Sequence, residues 1–188
     1  MRRLKNKHWL WLLLALALRP VPARPAEFAG QTLTRVRGVS VPGRIFVKDK
    51  KLRQEFSDEK GQTVTILRLD KKVVWVLLPV ERTYMEEPLK STWPGQFIQI
   101  PPEAKKKRLV GSERVLGYDA QKYQVSVPGK RGPEIQIFWV APKLELPIKE
   151  EIPSRKFSIE YRDITERSIA DRLFEIPKGY KKVNKPVL

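Results

Sequence analysis

The chain has 188 residues, enough for one domain with its own core, and 38 Lys and Arg against 21 Asp and Glu give it a formal charge of +17. It contains no cysteine, and its single histidine is His8. Beyond residue 8 this excludes disulfides, a lipid-modified cysteine, Ser–His and Cys–His nucleophile pairs, and zinc sites built on His or Cys.

The first residues read MRRLKNKH, then WLWLLLALAL, then RPVPARPAEF. A basic stretch, a short apolar run and a region of small residues predict a secretory signal peptide. The apolar run is too short for a membrane-spanning helix, which needs about 20 residues. Cleavage is expected after Ala23 or Ala26, with the first preferred because Arg24 sits badly for the second. The expected division is a signal peptide over 1–23 and a single β-domain over 24–188, exported to the periplasm and not a lipoprotein. Residues 1–23 hold five cations and no acid, so the rest of the chain still carries +12. After export, the anionic partners on offer are lipid headgroups and acidic surface polymers, and nucleic acid is not expected.

Gln31–Ser40 is a strand candidate, and Val41-Pro42-Gly43 reads as a turn. Ile45 and Val47 then share one face of a strand with Phe46 on the other. Leu52, Gln54 and Phe56 alternate with Lys51, Arg53 and Glu55, and Asp58-Glu59-Lys60-Gly61 makes a hairpin loop. Gln62–Leu69 is rich in Thr and branched residues, as strands prefer. Lys71–Pro88 comes next. Val73, Trp75 and Leu77 point one way from it, and Val74, Val76 and Leu78 the other. With both faces apolar, this strand must be covered twice or line a cavity. Tyr84 and Met85 resume the pattern after the turn Pro79–Arg82.

Lys90–Lys107 carries several prolines and a run of cations and reads as a long loop. It is either a flap placing Trp93 and Phe97 over an apolar face or a loop anchored by those aromatics. Arg108–Tyr118 contains two glycines. Tyr123, Val125 and Val127 form one face of a one-sided strand, and Pro128–Pro133 is a hairpin loop. Glu134–Ala141 sets Ile135, Ile137 and Trp139 against Gln136, Phe138 and Val140, a second strand with two largely apolar faces. Leu144–Ile148 and Arg155–Tyr161 are further strands, and Ser168–Phe174 allows one helical turn. No window sustains a helical period. Short strands at regular spacing predict a mainly β fold, a curved antiparallel sheet with little helix.

Several segments arrive in a familiar order: RIFVK at Arg44, LRQEF at Leu52, KVVWVLLP at Lys72, TYME at Thr83, GSE at Gly111, LGYDAQKY at Leu116, WVA at Trp139, LPIK at Leu146 and LFEIPKGY at Leu173. The set resembles a family of exported bacterial proteins of unknown function. That family is similar to the periplasmic lipoprotein carriers LolA and LolB and to outer-membrane lipoprotein-sorting proteins. The resemblance covers most of Val36–Lys182. It implies a half-open antiparallel β-barrel whose concave side can hold acyl chains. The carriers close that cavity with helices, whereas this chain has no long amphipathic helix.

The function expected is a periplasmic lipid- or lipoprotein-binding protein, in outer-membrane lipoprotein sorting or envelope maintenance. It would hold acyl chains in an apolar concave cleft lined by Trp75, Leu77, Tyr84, Trp139, Ile137, Phe97 and Trp93. Lys105, Lys106, Lys107 and Arg108 are expected to touch a membrane surface. No cofactor, metal site or catalytic residue is assigned, and no enzyme is expected. A glycosidase using Glu86 or Glu87 with Asp119 is disfavoured, because adjacent Glu86 and Glu87 point to opposite faces of a strand. The alternative is a non-catalytic envelope module binding a protein or an anionic polymer through the basic surface.

Overall fold

The computed structural model describes residues 27–59, 61–89, 99–102, 104–129 and 132–184. The expected signal peptide, Trp93 and Phe97 lie outside the described residues. Twelve strands form one sheet: β1 (Glu27–Val36), β2 (Val39–Lys48), β3 (Lys51–Asp58), β4 (Gly61–Arg68), β5 (Val73–Leu78), β6 (Thr83–Pro88), β7 (Lys105–Val115), β8 (Tyr118–Gly129), β9 (Gly132–Ala141), β10 (Leu146–Ile152), β11 (Phe157–Glu166) and β12 (Lys181–Lys182). Their order across the sheet is β12-β6-β5-β4-β3-β2-β1-β11-β10-β9-β8-β7, and every pair is antiparallel except β12 with β6. Two meanders, β1–β6 and β7–β11, are therefore joined where β1 pairs with β11.

Residues directly opposite in the register share a face. Phe28, Val47, Leu52, Leu67 and Val74 are linked in this way across five strands, and Thr34, Ile159, Glu150, Phe138 and Tyr123 across another five. This face carries Phe28, Ile45, Leu52, Val74, Ile148 and Tyr161 with no exposed surface. No described helix lies over it; the sheet curls on itself, and Leu89, Ile100 and Ala104 of the β6–β7 connection pack against the same apolar cluster. The fold is a half-open barrel with this face inside: the strand spacing predicts the curved antiparallel sheet, and the family resemblance implies the half-open barrel. β6, with β12 added outside it, and β7 are its unjoined edges.

The outer face of β2–β5 is covered by the C-terminal segment. After β11 the chain crosses these strands as a strap, makes a 3-10 turn at Asp171–Phe174, and runs beside β6 as β12. Ile169 and Phe174 sink against Phe46, Val64, Ile66, Trp75 and Leu77. Arg53 Nη1 donates to the Leu173 carbonyl at 2.9 Å and Arg68 Nη1 to the Phe174 carbonyl at 3.1 Å. Lys48 and Lys51 both pair with Asp171.

The first turn differs from expectation. It falls at Arg37-Gly38, both at positive φ, and Val41-Pro42-Gly43 lies inside β2. Pro42 is tolerated because pairing of β2 with β3 begins only at Gly43, so no neighbour there asks for its missing N–H. Gly43 is required by close approach. A Cβ there would stand 2.6 Å from Thr32 Oγ1 and 2.7 Å from the Glu55 carbonyl oxygen.

Candidate functional site

Strand alternation decides where the residues picked from the sequence lie. Trp75 and Leu77 are one step out of phase with Val74, and Tyr84 is the register partner of Leu77. All three are on the outer face, packed in the cluster that the strap covers. Trp75 Nε1 donates to Glu86 Oε2 at 2.9 Å, and Glu86 also accepts from Lys182. Ile137 and Trp139 are likewise outside, opposite Glu151 and Lys149. Trp139 keeps only 3 % of its surface exposed because Lys149 and Lys122 lie over its ring, at 4.3 and 4.7 Å from the centroid, while its Nε1 donates to Glu113. That bond holds the Glu113 carboxyl below its usual range. The concave lining expected from Trp75, Leu77, Tyr84, Ile137 and Trp139 is thus corrected: these five face outward, and the alternate residues line the inside.

The inner face changes character along the strands. At the end bearing the β2–β3 and β4–β5 turns it is filled by Phe28, Val47, Leu52, Leu67 and Val74. Towards the middle it becomes polar. Thr32 Oγ1, Thr34 Oγ1 and Gln54 Nε2 are buried with no hydrogen-bond partner among the described residues. Glu150, also inside and 3 % exposed, has its carboxyl pushed up to about 8 by burial. Nearby Arg155 draws that value down and Glu134 adds to the rise. Such groups are costly inside a core built only for packing.

The opposite end bears the β1–β2, β3–β4, β5–β6, β8–β9 and β10–β11 turns, and there a cleft of about 1080 Å³ opens. It lies between Arg37 on the first turn, Pro128, Gly129, Gly132 and Pro133 at the β8–β9 hairpin, and the 3-10 turn Pro153–Arg155. Ile135 lines it and is 41 % exposed. Glu134 forms its charged wall, accepting from Ser154 Oγ at 2.7 Å and from Arg155 Nε at 2.8 Å. Ligand pockets run from roughly 300 to 1,000 Å³, so this cleft has room for a sizeable molecule. Alternation could not have found its residues, because Glu134 has the parity of Phe138 and Ile135 that of Trp139, and the two meet in the cleft only at the end of the strand; the prolines and glycines at 128–133 read as a hairpin, not as a wall.

Lys105, Lys106, Lys107 and Arg108 open β7 and are all exposed. Lys107 lies over the Tyr123 ring at 4.5 Å. The strand is an edge, and Lys106 at positive φ marks one of its two bulges. Cations and bulges on an edge strand prevent unwanted pairing, which is a use for this run without any partner.

A model of the family described as domain of unknown function (DUF4412) matches residues 34–145. No curated protein matches the sequence. Among solved structures, the chain is similar to an uncharacterized conserved protein from Thermus thermophilus, with 14 % identity, a TM-score of 0.59, and 85 % of this chain and 91 % of that one covered. It is also similar to a chain of the Pseudomonas aeruginosa MucA/MucB complex, with 14 % identity, a TM-score of 0.51, and 81 % and 56 % covered. A third, PNGF-II, has 11 % identity and a TM-score of 0.54, with 85 % of this chain but 32 % of that one covered. At these identities the likeness is one of fold.

Proposed function

The chain belongs to the DUF4412 family, and from that premise we propose that it is a non-enzymatic, exported binding protein. Its ligand is the acyl part of a lipid or lipoprotein, held in the cleft at the open end of the half-barrel. The observation that carries this reading is the cleft itself, about 1080 Å³ with Ile135 and four Pro and Gly residues of the β8–β9 hairpin in its lining. Apolar burial supplies the affinity without chemistry, at about 0.8 kcal/mol per methylene. Export rests on the N-terminal pattern, with release near Ala23 or Ala26. The mass of the protein recovered from an envelope fraction checks it, and an intact Met1 chain in the cytoplasm would refute it.

Displacement of a fluorescent fatty acid by saturated acids of increasing length tests the ligand. Affinity should rise by roughly fourfold per added CH₂ and change little between low and high salt. Ile135→Glu should weaken it at least tenfold while leaving the circular dichroism spectrum unchanged, since Ile135 is half out in solvent. No displacement at any length, together with no lipid in native mass spectra, would end the reading.

A second reading has one observation behind it: the four cations Lys105–Arg108 are all exposed. It is a protein or anionic polymer bound through that run, and the solved MucA/MucB complex gives a protein of this fold with a protein partner. Binding of that kind would weaken steeply with salt.

A further inference from the structure

The seven large apolar side chains exposed among the described residues are unevenly placed. Val36, Val39, Val80 and Ile135 sit at the end bearing the cleft, Leu109 and Val110 lie along β7, and Leu116 alone is at the other end. Val39 exposes 64 % of its surface and Val36 39 %. These two are register partners on the inner-face side of the β1–β2 hairpin, so they form one apolar tip. The tip is tied to the cleft wall: the Arg37 N–H donates to the Lys156 carbonyl at 2.9 Å, and Arg37 itself lines the cleft.

Cations in excess of acids stand at this end of the sheet. Arg37, Arg155 and Lys156 are exposed there. Lys105 and Lys106 begin β7 at the same end, since β7 runs antiparallel to β8 and its first residue pairs with Ser126. Of the acids, Glu134 is neutralised by Arg155 at 2.6 Å, and Asp58, Glu59 and Glu81 belong to the β3–β4 and β5–β6 turns, outside the cleft. Arg37 and Lys156 are both held at positive φ, which turns the two tips back sharply and leaves their side chains at the extremity.

We propose that this end docks on an anionic lipid bilayer. Val36, Val39 and Ile135 enter the headgroup boundary, and Arg37 and Lys156 lie against lipid phosphates, so that the cleft opens onto the membrane. Apolar burial and cationic attraction together make a reversible interfacial contact, where either alone is weak. The inference rests on the acyl-binding reading, because it gives the cleft's ligand a route that avoids water. Its occupant is a membrane and not a peptide strand: the apolar side chains stand at hairpin tips, where no run of unpaired strand backbone is offered.

The absence of cysteine makes a direct test possible. Val39→Cys, Ile135→Cys and, at the opposite end, Leu116→Cys are each labelled with an environment-sensitive dye in the full chain. The vesicles contain phosphatidylethanolamine and phosphatidylglycerol, with phosphatidylcholine vesicles as the uncharged comparison. The labels at 39 and 135 should brighten and shift to the blue on the anionic vesicles, and the label at 116 should not. Arg37→Glu with Lys156→Glu should weaken the response by roughly fivefold or more for each cation lost. Placing the reporter on the tip keeps the result independent of the apolar run at residues 9–18. Equal responses at 39 and 116, or none at 39, would overturn the proposal. Loss of fatty-acid binding with the tip response intact would instead sink the acyl-binding reading and leave the docking face standing.

Discussion

Glu150 is the residue whose environment is most at odds with its chemistry. It lies inside, in register with Ile159 and Phe138, with Tyr161, Glu134 and Arg155 as the titratable and charged groups acting around it. Burial raises its carboxyl from 4.5 to about 8. Below pH 4.5 it is neutral in both folded and unfolded chains and costs little. Between about 4.5 and 8 the unfolded chain ionises while the folded one keeps its proton, so stability falls by about 1.4 kcal/mol per pH unit from this group. Glu150→Gln should remove that slope. Denaturant titrations should show the variant overtaking the parent progressively from pH 5 to pH 8 and running parallel above it. Parallel curves across the whole range would mean that Glu150 is hydrated in solution. Nothing in the sequence marked it, because the expected strand Leu144–Ile148 stops short of it, whereas β10 runs on to Ile152. Its burial comes from the five strands that share its row, a long-range fact.

At the scale of the element, the strap explains why two apolar faces on β5 do not imply an empty groove. The pattern Val73–Leu78 correctly required cover on both sides, and the segment that supplies it is too irregular to announce itself. Ser168–Phe174 was readable as one helical turn, and the structure has a 3-10 turn there, but nothing local says which face Phe174 meets. Parity is the hidden variable. A strand read alone gives two sets of residues and no label for inside, so Trp75 and Trp139, the largest side chains, drew the choice to the wrong set. Phe174 has no exposed surface, and Phe174→Ala should cost about 3–5 kcal/mol. Hydrogen exchange should then speed up in the strap and at the β6 edge before the interior strands. Uniform acceleration would show the strap to be part of the global folding unit.

The whole molecule was legible where spacing alone decides: mainly β, consecutive hairpins, little helix. What spacing cannot show is the join between β1 and β11, which brings residues more than 120 positions apart into register and makes one sheet of two meanders. The cleft exists only because of that join. Its walls come from β1–β2, β8–β9 and β10–β11, three turns that no local pattern connects. The ligand experiment therefore belongs at this scale. A substitution that loosens the β1–β11 pairing, such as Thr34→Pro, should lower fatty-acid affinity together with stability, whereas Ile135→Glu should lower affinity alone.

The two rims of an unclosed sheet are protected differently. β7 carries its own charges and bulges, while β6 relies on Lys181 and Lys182 laid alongside, with Lys181 N–H donating to the Arg82 carbonyl and Val183 N–H to the Tyr84 carbonyl. β6 has few other defences, so a chain cut after Pro177 would present bare backbone to its neighbours. At high concentration such molecules should zipper rim to rim into growing ribbons. Light scattering should rise with time in the shortened protein and stay flat in the intact one. The pair Lys181-Lys182 would then be what keeps this protein from pairing through its β6 rim.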